Sequence, residues 1–169
     1  MESVIEKCES TISELLKFSR SVLYLGKPIK DKRFIKFENE IGYELSIDFK
    51  YILERYNGFS LLGSRVFGLD SEYQESSLDR IYHFEHNIVE NKMPSHFLPF
   101  SNDGSGNHYC LDLSRLDSKK ICPVVFWQWD FKYETINEVE TCNENFCDWV
   151  KEVLIDWTLE EYNFDGTKK

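Results

Sequence analysis

The stretch Phe97-Leu98-Pro99-Phe100-Ser101-Asn102-Asp103-Gly104-Ser105-Gly106-Asn107-His108-Tyr109-Cys110-Leu111-Asp112-Leu113 sets two apolar runs on either side of a turn made of Asp, Asn, Ser and Gly. Gly tolerates positive φ, and Asp and Asn side chains bond their own backbone, so such residues reverse a chain. The pattern predicts a β-hairpin with strands near 97–100 and 108–113. Its tip also offers the nearest approach to a metal or phosphate loop in the chain, and both readings fail. Asp103, Ser105 and Asn107 alternate as in an EF-hand loop, but His108 stands where Gly is needed and Ser114 where a bidentate Glu is needed. Gly104-Ser105-Gly106 leads into a strand, whereas a phosphate cradle leads into a helix.

On the N-terminal side of this hairpin, Val4, Ile5, Cys8, Ile12, Leu15 and Leu16 recur at helical spacing and predict an amphipathic helix over about 2–18. Phe34, Phe37 and Ile41 mark a short helix that stops at Gly42. Ser46 offers a cap for the next, whose stripe is Phe49, Ile52, Leu53 and Tyr56 and which ends at Asn57-Gly58. A strand over 65–69, an acidic loop over 70–75 and a helix carrying Leu78, Ile81, Tyr82, Ile88 and Val89 lead up to the hairpin. Beyond it, Cys122-Pro123-Val124-Val125-Phe126-Trp127 reads as a strand covered on both faces, with a weaker strand over 133–139. Thr141 and Glu144 have the spacing of a capping box ahead of a stripe of Phe146, Trp149, Val150, Val153, Leu154 and Trp157. Residues from about 161 are expected to fray. Helices and short strands so interspersed predict one α+β domain, a twisted and mainly antiparallel sheet flanked by helices.

With 169 residues, the chain is long enough to bury about 70% of its extended surface without metal or disulfide support. Its net charge of −10 is uneven: residues 1–60 balance, whereas 130–169 hold eleven acids against four bases. Acidic surface repels phosphate backbones and attracts basic proteins, so direct nucleic-acid binding is disfavoured. Five cysteines without a CxxC pair, no basic-then-apolar leader and no membrane-length apolar run point to a cytoplasmic protein with reduced thiols.

Candidate chemistry is sparse. His83, His86 and Glu90 share a helical face but lack the further ligands of a zinc site. His108 near Asp112 and Cys110 could imitate a catalytic group, yet side chains two apart on a strand stand about 7 Å apart, too far for proton transfer. No catalytic residue, metal or cofactor is assigned. Trp127 and Trp129 share one side of their strand if pairing continues through Asp130. Trp129 beside Asp130 then forms an aromatic and acidic patch of the kind found at binding hot spots.

Five segments in order resemble the SUKH superfamily, also called the Smi/Knr family. They are Glu38-x-x-Ile41-Gly42-x-x-Leu45-Ser46-x-Asp48-Phe49-Lys50-x-x-Leu53; Tyr56-Asn57-Gly58; Leu98-Pro99-Phe100 with the 103–113 turn and strand; Pro123-Val124-x-x-Trp127-x-x-Asp130; and Phe146-x-x-Trp149-Val150. Ser46 departs from the Pro usual there, and Asn107 from the usual Asp. The resemblance covers about 36–158. It leaves residues 1–35 as a helical extension of the same domain and 36–160 as the family-like part. It implies that Gly42, Asn57, Gly58, Gly104, Gly106 and Trp127 fix the fold.

Bacterial members of this superfamily resemble immunity proteins that block a cognate toxin, often a nuclease. The resemblance therefore implies a non-enzymatic antitoxin whose partner is the basic C-terminal nuclease domain of a secreted toxin. The fungal relatives suggest the alternative of a regulatory scaffold. Acids and aromatics cluster at Asp70, Glu72, Glu75, Asp103, Trp129 and Asp130, the surface expected to meet that partner.

Overall fold

The structure, a computed structural model, describes residues 2–70 and 76–169. Helix α1 (Val4–Leu15) starts at Ser3, whose hydroxyl accepts from the Glu6 amide while the Glu6 carboxylate accepts from the Ser3 amide. Then come β1 (Leu23–Leu25), α2 (Asp31–Ile41), α3 (Ile47–Arg55), β2 (Phe59–Leu61) and β3 (Ser64–Val66), with Gly42 ending α2 in the left-handed conformation. The three strands form an antiparallel sheet in sequence order. Helix α4 (Leu78–Asn87) precedes a second antiparallel sheet of β4 (Phe97–Asn102), β5 (His108–Asp112), β6 (Val124–Trp127) and β7 (Glu140–Asn143), again in sequence order. Helix α5 (Phe146–Trp149), a π-helical segment (Val150–Asp156) and α6 (Trp157–Glu161) follow without a break. This is a single α+β domain, as the periodicities imply.

The hairpin at 97–113 forms as read, with Asn102 opposite His108 and Phe97 opposite Asp112. A bulge between Pro99 and Ser101 takes Phe100 out of the ladder. The freed Phe100 carbonyl accepts from the Phe67 amide at 2.8 Å, and the Ser101 hydroxyl donates to the Arg65 carbonyl at 2.6 Å. The bulge thus ties the larger sheet to the smaller one. Its ring turns into the main core, edge-on to Phe146 at 5.2 Å and to Trp149 at 4.8 Å. Alternation along the strands fills both faces. Leu98, Leu111 and Val124 join the main core beneath α1, α3 and α5. Phe97, Cys110, Val125 and Trp127 face the other way into a smaller cluster with Met93 and Val139.

The helix ends depart from the sequence reading for identifiable reasons. Ser46 is the N-cap of α3 but its hydroxyl makes no capping bond: the N3 amide, Phe49, donates to the Asp48 carboxylate instead, and the Ile47 amide to the Lys120 carbonyl. Thr141 caps no helix: it pairs with Val125 inside β7, and the cap is Asn145, whose side chain accepts from the Asp148 amide at 2.9 Å. The strand expected over 133–139 starts later, since Thr135 and Glu138 form a reciprocal box around a 3-10 turn and pairing begins at Glu140. The π segment widens the last helix and shifts its phase. Ile155 is therefore fully buried, while Trp157, expected in the stripe, is 50% exposed. The tail does not fray. Tyr162 bridges Lys168, the Ser19 amide donates to the Phe164 carbonyl at 2.8 Å, and Phe18 meets Phe164 edge-on at 4.9 Å.

The joint between these helices is Asp48, in the first turn of α3 and 1% exposed. One carboxylate oxygen accepts from the Phe49 amide at 2.9 Å; the other accepts from the amides of Phe146 at 2.9 Å and Cys147 at 3.4 Å. The next two amides of α5 also have acceptors, Asp148 on the Asn145 side chain and Trp149 on the Asn145 carbonyl. The amides of Phe146, Cys147 and Asp148, which a helix start leaves without intrahelical partners, are thus all matched by side chains, and Trp149 makes the first intrahelical bond. The negative charge also suits the positive end of the helix. Cys8 of α1 completes the joint, 3.5 Å from the Cys147 sulfur.

Asp48→Ala strands three buried amides and should cost about 3 kcal/mol in urea unfolding. Burial pushes the Asp48 carboxyl above its ordinary value of 3.8, although the amides of Phe49, Cys147 and Phe146 pull it down. The folded chain therefore keeps this proton to higher pH than the unfolded chain, and ionisation at Asp48 favours unfolding. The stability of Asp48→Asn relative to wild type should rise as pH increases from 3.8 through the raised folded value. A flat difference across that range would contradict the assignment.

Candidate functional site

Strand β6 stops at Trp127, and the chain beyond it leaves the sheet to arch over the small cluster. Trp127 and Trp129 accordingly part company. Trp127 is buried and stacks near Tyr133 at 4.6 Å, whereas Trp129 is 54% exposed. Three sets of bonds hold the arch. The Trp129 amide donates to the Asn107 side-chain oxygen at 3.3 Å and its indole N–H to the Ser105 carbonyl at 3.0 Å. The Asn91 side chain donates to the carbonyls of Trp129 and Phe131, and the Gln128 amide to the Tyr133 hydroxyl. An exposed indole is thereby fixed in place before any encounter.

The Asp103 turn supports it. The Asp103 carboxylate accepts from the amides of Ser105 and Asn107 and from the Asn107 side chain. Slight burial pushes this carboxyl upward, but the bonds outweigh it and hold it below the ordinary carboxylate value. Asp103 is therefore part of the turn's framework, not a surface charge that can be removed without effect on the fold. Gly106 has φ +93°, and a Cβ there would lie 2.8 Å from Trp129 Cδ1, so the turn can seat the indole only with glycine at this position. Gly104 also has positive φ but faces open space.

Between this arch and α4 lies a groove of about 1210 Å³. Phe84, Glu85 and Glu90 line it on the helix side, and Trp127, Trp129, Asp130, Tyr133 and Glu134 on the other. Phe84, Phe131 and Ile136 are exposed around it. Acidic groups beside exposed rings are the composition expected of a protein contact surface.

Asp70 sits elsewhere. It lines a separate groove of about 530 Å³ with Lys27, Lys30, Lys32 and Arg33, and Arg33 forks onto both its carboxylate oxygens. That guanidinium holds the Asp70 carboxyl below its ordinary value. The structure thus brings Asp103, Trp129 and Asp130 together and separates Asp70 from them; Glu72 and Glu75 lie outside the described residues. Asn57 and Gly58 lie against the Asp70 groove. The Asn57 side chain donates to the Leu69 carbonyl at 2.7 Å and accepts from its amide at 2.8 Å. Gly58 has φ +82°, and a Cβ there would lie 2.8 Å from the Gly68 nitrogen.

The imitation of catalytic groups dissolves. His108 faces Glu85 at 3.1 Å, while Asp112 is bound by Arg115 and Ser114. Burial pushes the Cys110 thiol far up, away from the thiolate that a nucleophile needs. The ring nitrogens of His86 contact the carbonyls of Tyr82 and Pro94, and the His83 Nδ1 faces the Asn87 amide. Among the described residues no three His, Cys, Asp or Glu side chains gather as a metal site.

Sequence reasoning missed Glu85, Asn91 and the pairing of Glu85 with His108. The first had a signal. Glu85 follows Leu78 by seven residues, two helical turns, and so shares the inward face of α4. Asn91 lies outside regular structure and gave none.

A family model described as SMI1 / KNR4 family (SUKH-1) matches residues 28–152. No curated protein matches the chain. The crystal structure of a protein from Pseudomonas syringae pv. tomato is similar at TM-score 0.57 and 13% identity, covering 86% of this chain and 96% of that one. At that identity the likeness is one of fold.

Gly106→Ala should dislodge Trp129 from its seat. A red shift of the Trp129 emission, judged against Trp129→Phe, and a loss of about 1 kcal/mol in stability are expected. An unchanged emission would show that the indole does not depend on the glycine.

Proposed function

Because this chain belongs to the SMI1/KNR4 (SUKH-1) family, we propose that it is a non-enzymatic immunity protein, neutralising a secreted toxin by covering it through the groove beside Trp129. The observation that carries this reading is the exposed Trp129 indole, pinned on the Asp103 turn beside Asp130. An aromatic anchor held before binding loses little freedom on association, which favours affinity. The surrounding carboxylates, and the net charge of −10, suit a basic partner such as the phosphate-gripping face of a nuclease. Inhibition then needs neither cofactor nor turnover, only occlusion, and takes place in the cytoplasm of the cell being protected.

Co-expression with the C-terminal domain of a toxin encoded beside this chain tests the proposal. Wild type should restore growth, and Trp129→Ala should weaken binding about 30-fold while costing no more than about 1 kcal/mol of stability. Combined Glu90→Gln, Asp130→Asn and Glu134→Gln should slow association and flatten its salt dependence. Full protection by both variants at high salt would overturn the assignment of this surface.

A further inference from the structure

The floor of the Trp129 groove holds a buried acidic side chain with a single partner. Glu85 is 9% exposed, and among the described residues its only hydrogen-bond or ion-pair contact is His108. The contact runs through His108 Nε2, and among the described residues His108 Nδ1 is buried without a partner. Lys92 and Lys132 line the same groove, but neither lies within ion-pair distance of Glu85. A second buried group also lacks a partner. Trp127 lines the groove at 4% exposure, and its indole N–H has no acceptor. A carboxylate held by one ring nitrogen keeps acceptor sites for a further donor, and native interiors seldom leave an N–H without an acceptor. Glu85 and Trp127 line one cavity, together with Phe84, Trp129 and Tyr133.

Resting on the reading of this groove as the contact surface, we propose that its floor receives an arginine side chain from the partner protein, the guanidinium pairing with Glu85 and stacking against the aromatic rings that line the groove. The chemistry selects arginine over lysine. A guanidinium is planar, forks onto a carboxylate and stacks on aromatic faces, whereas an ammonium is a compact, strongly hydrated point charge. Glu90, Asp130 and Glu134 at the same groove add attraction for a cation from outside. A partner with a deeply inserted arginine also gives the acidic surface a register that diffuse charge cannot.

The test uses the full chain and three short capped peptides, acetyl-Gly-Arg-Gly-amide and its lysine and citrulline counterparts, followed by the indole N–H signals in NMR. The Trp127 signal, identified through Trp127→Phe, should shift saturably with the arginine peptide. The response should be at least about tenfold weaker with lysine or citrulline. Glu85→Gln should lose the preference for arginine. Since that change also removes a buried pair, Phe84→Ala at the exposed rim serves as a second variant, expected to weaken binding and leave unfolding unaltered. Equal response to arginine and citrulline, or none at saturating peptide, overturns the proposal whatever the protein does to a toxin. Arginine selectivity together with undiminished toxin neutralisation by Glu85→Gln sustains the pocket and overturns instead the reading of this groove as the toxin contact.

Discussion

The amides that open α5 are buried donors far from water, and the carboxylate that satisfies two of them comes from Asp48, near the other end of the chain. Without that acceptor, laying the last helix against α3 would leave its first N–H groups unmatched in the core. The rest follows from this contact. It brings Cys147 against Cys8, so α1 is held in the same joint. It sets Phe146 and Trp149 against Phe49 and Phe100, which closes the core over one face of the larger sheet. With that face sealed, the opposite face carries only a small cluster, and it is there that room remains for a groove. The fold is fixed on one side of the sheet, and the candidate function is placed on the other.

Much of this was legible in residue order. The hairpin could be read from its turn chemistry, and α2, α3 and α4 from apolar periodicity and breakers such as Gly42 and Asn57-Gly58. The errors concentrate where tertiary contacts override a local signal. Thr141 and Glu144 have the spacing of a capping box, but β6 competes for Thr141 and wins it for a strand. Ser46 has the right side chain for a cap, but the Asp48 carboxylate takes the Phe49 amide that a cap would bond. The seven-residue π segment leaves no mark in apolar spacing, so the exposure of Trp157 could not have been anticipated. The tail, polar and short, gave no hint of docking on Ser19.

The site was legible in part for a related reason. Trp129 beside Asp130 stands out in sequence, and the structure adds the physical cause of its persistence on the surface: the turn at 103–107 acts as a shelf for the ring. Asp70, also acidic and in a loop, belongs to a basic groove and is neutralised there, which sequence proximity to other acids conceals. Glu85 and His108 meet only because α4 crosses behind β5, a relationship of elements that neither segment encodes alone.

The bracket between Asn57 and Leu69 bears on how the protein ages. In a loose chain an Asn followed by Gly loses ammonia readily, when the glycine nitrogen attacks the side-chain carbonyl and closes a succinimide ring. Here both ends of the Asn57 carboxamide are held on Leu69, and Gly58 is confined against Gly68. The folded chain thus shields its most deamidation-prone dipeptide for as long as it stays folded, and an excursion that releases Leu69 exposes that bond to slow, irreversible chemistry.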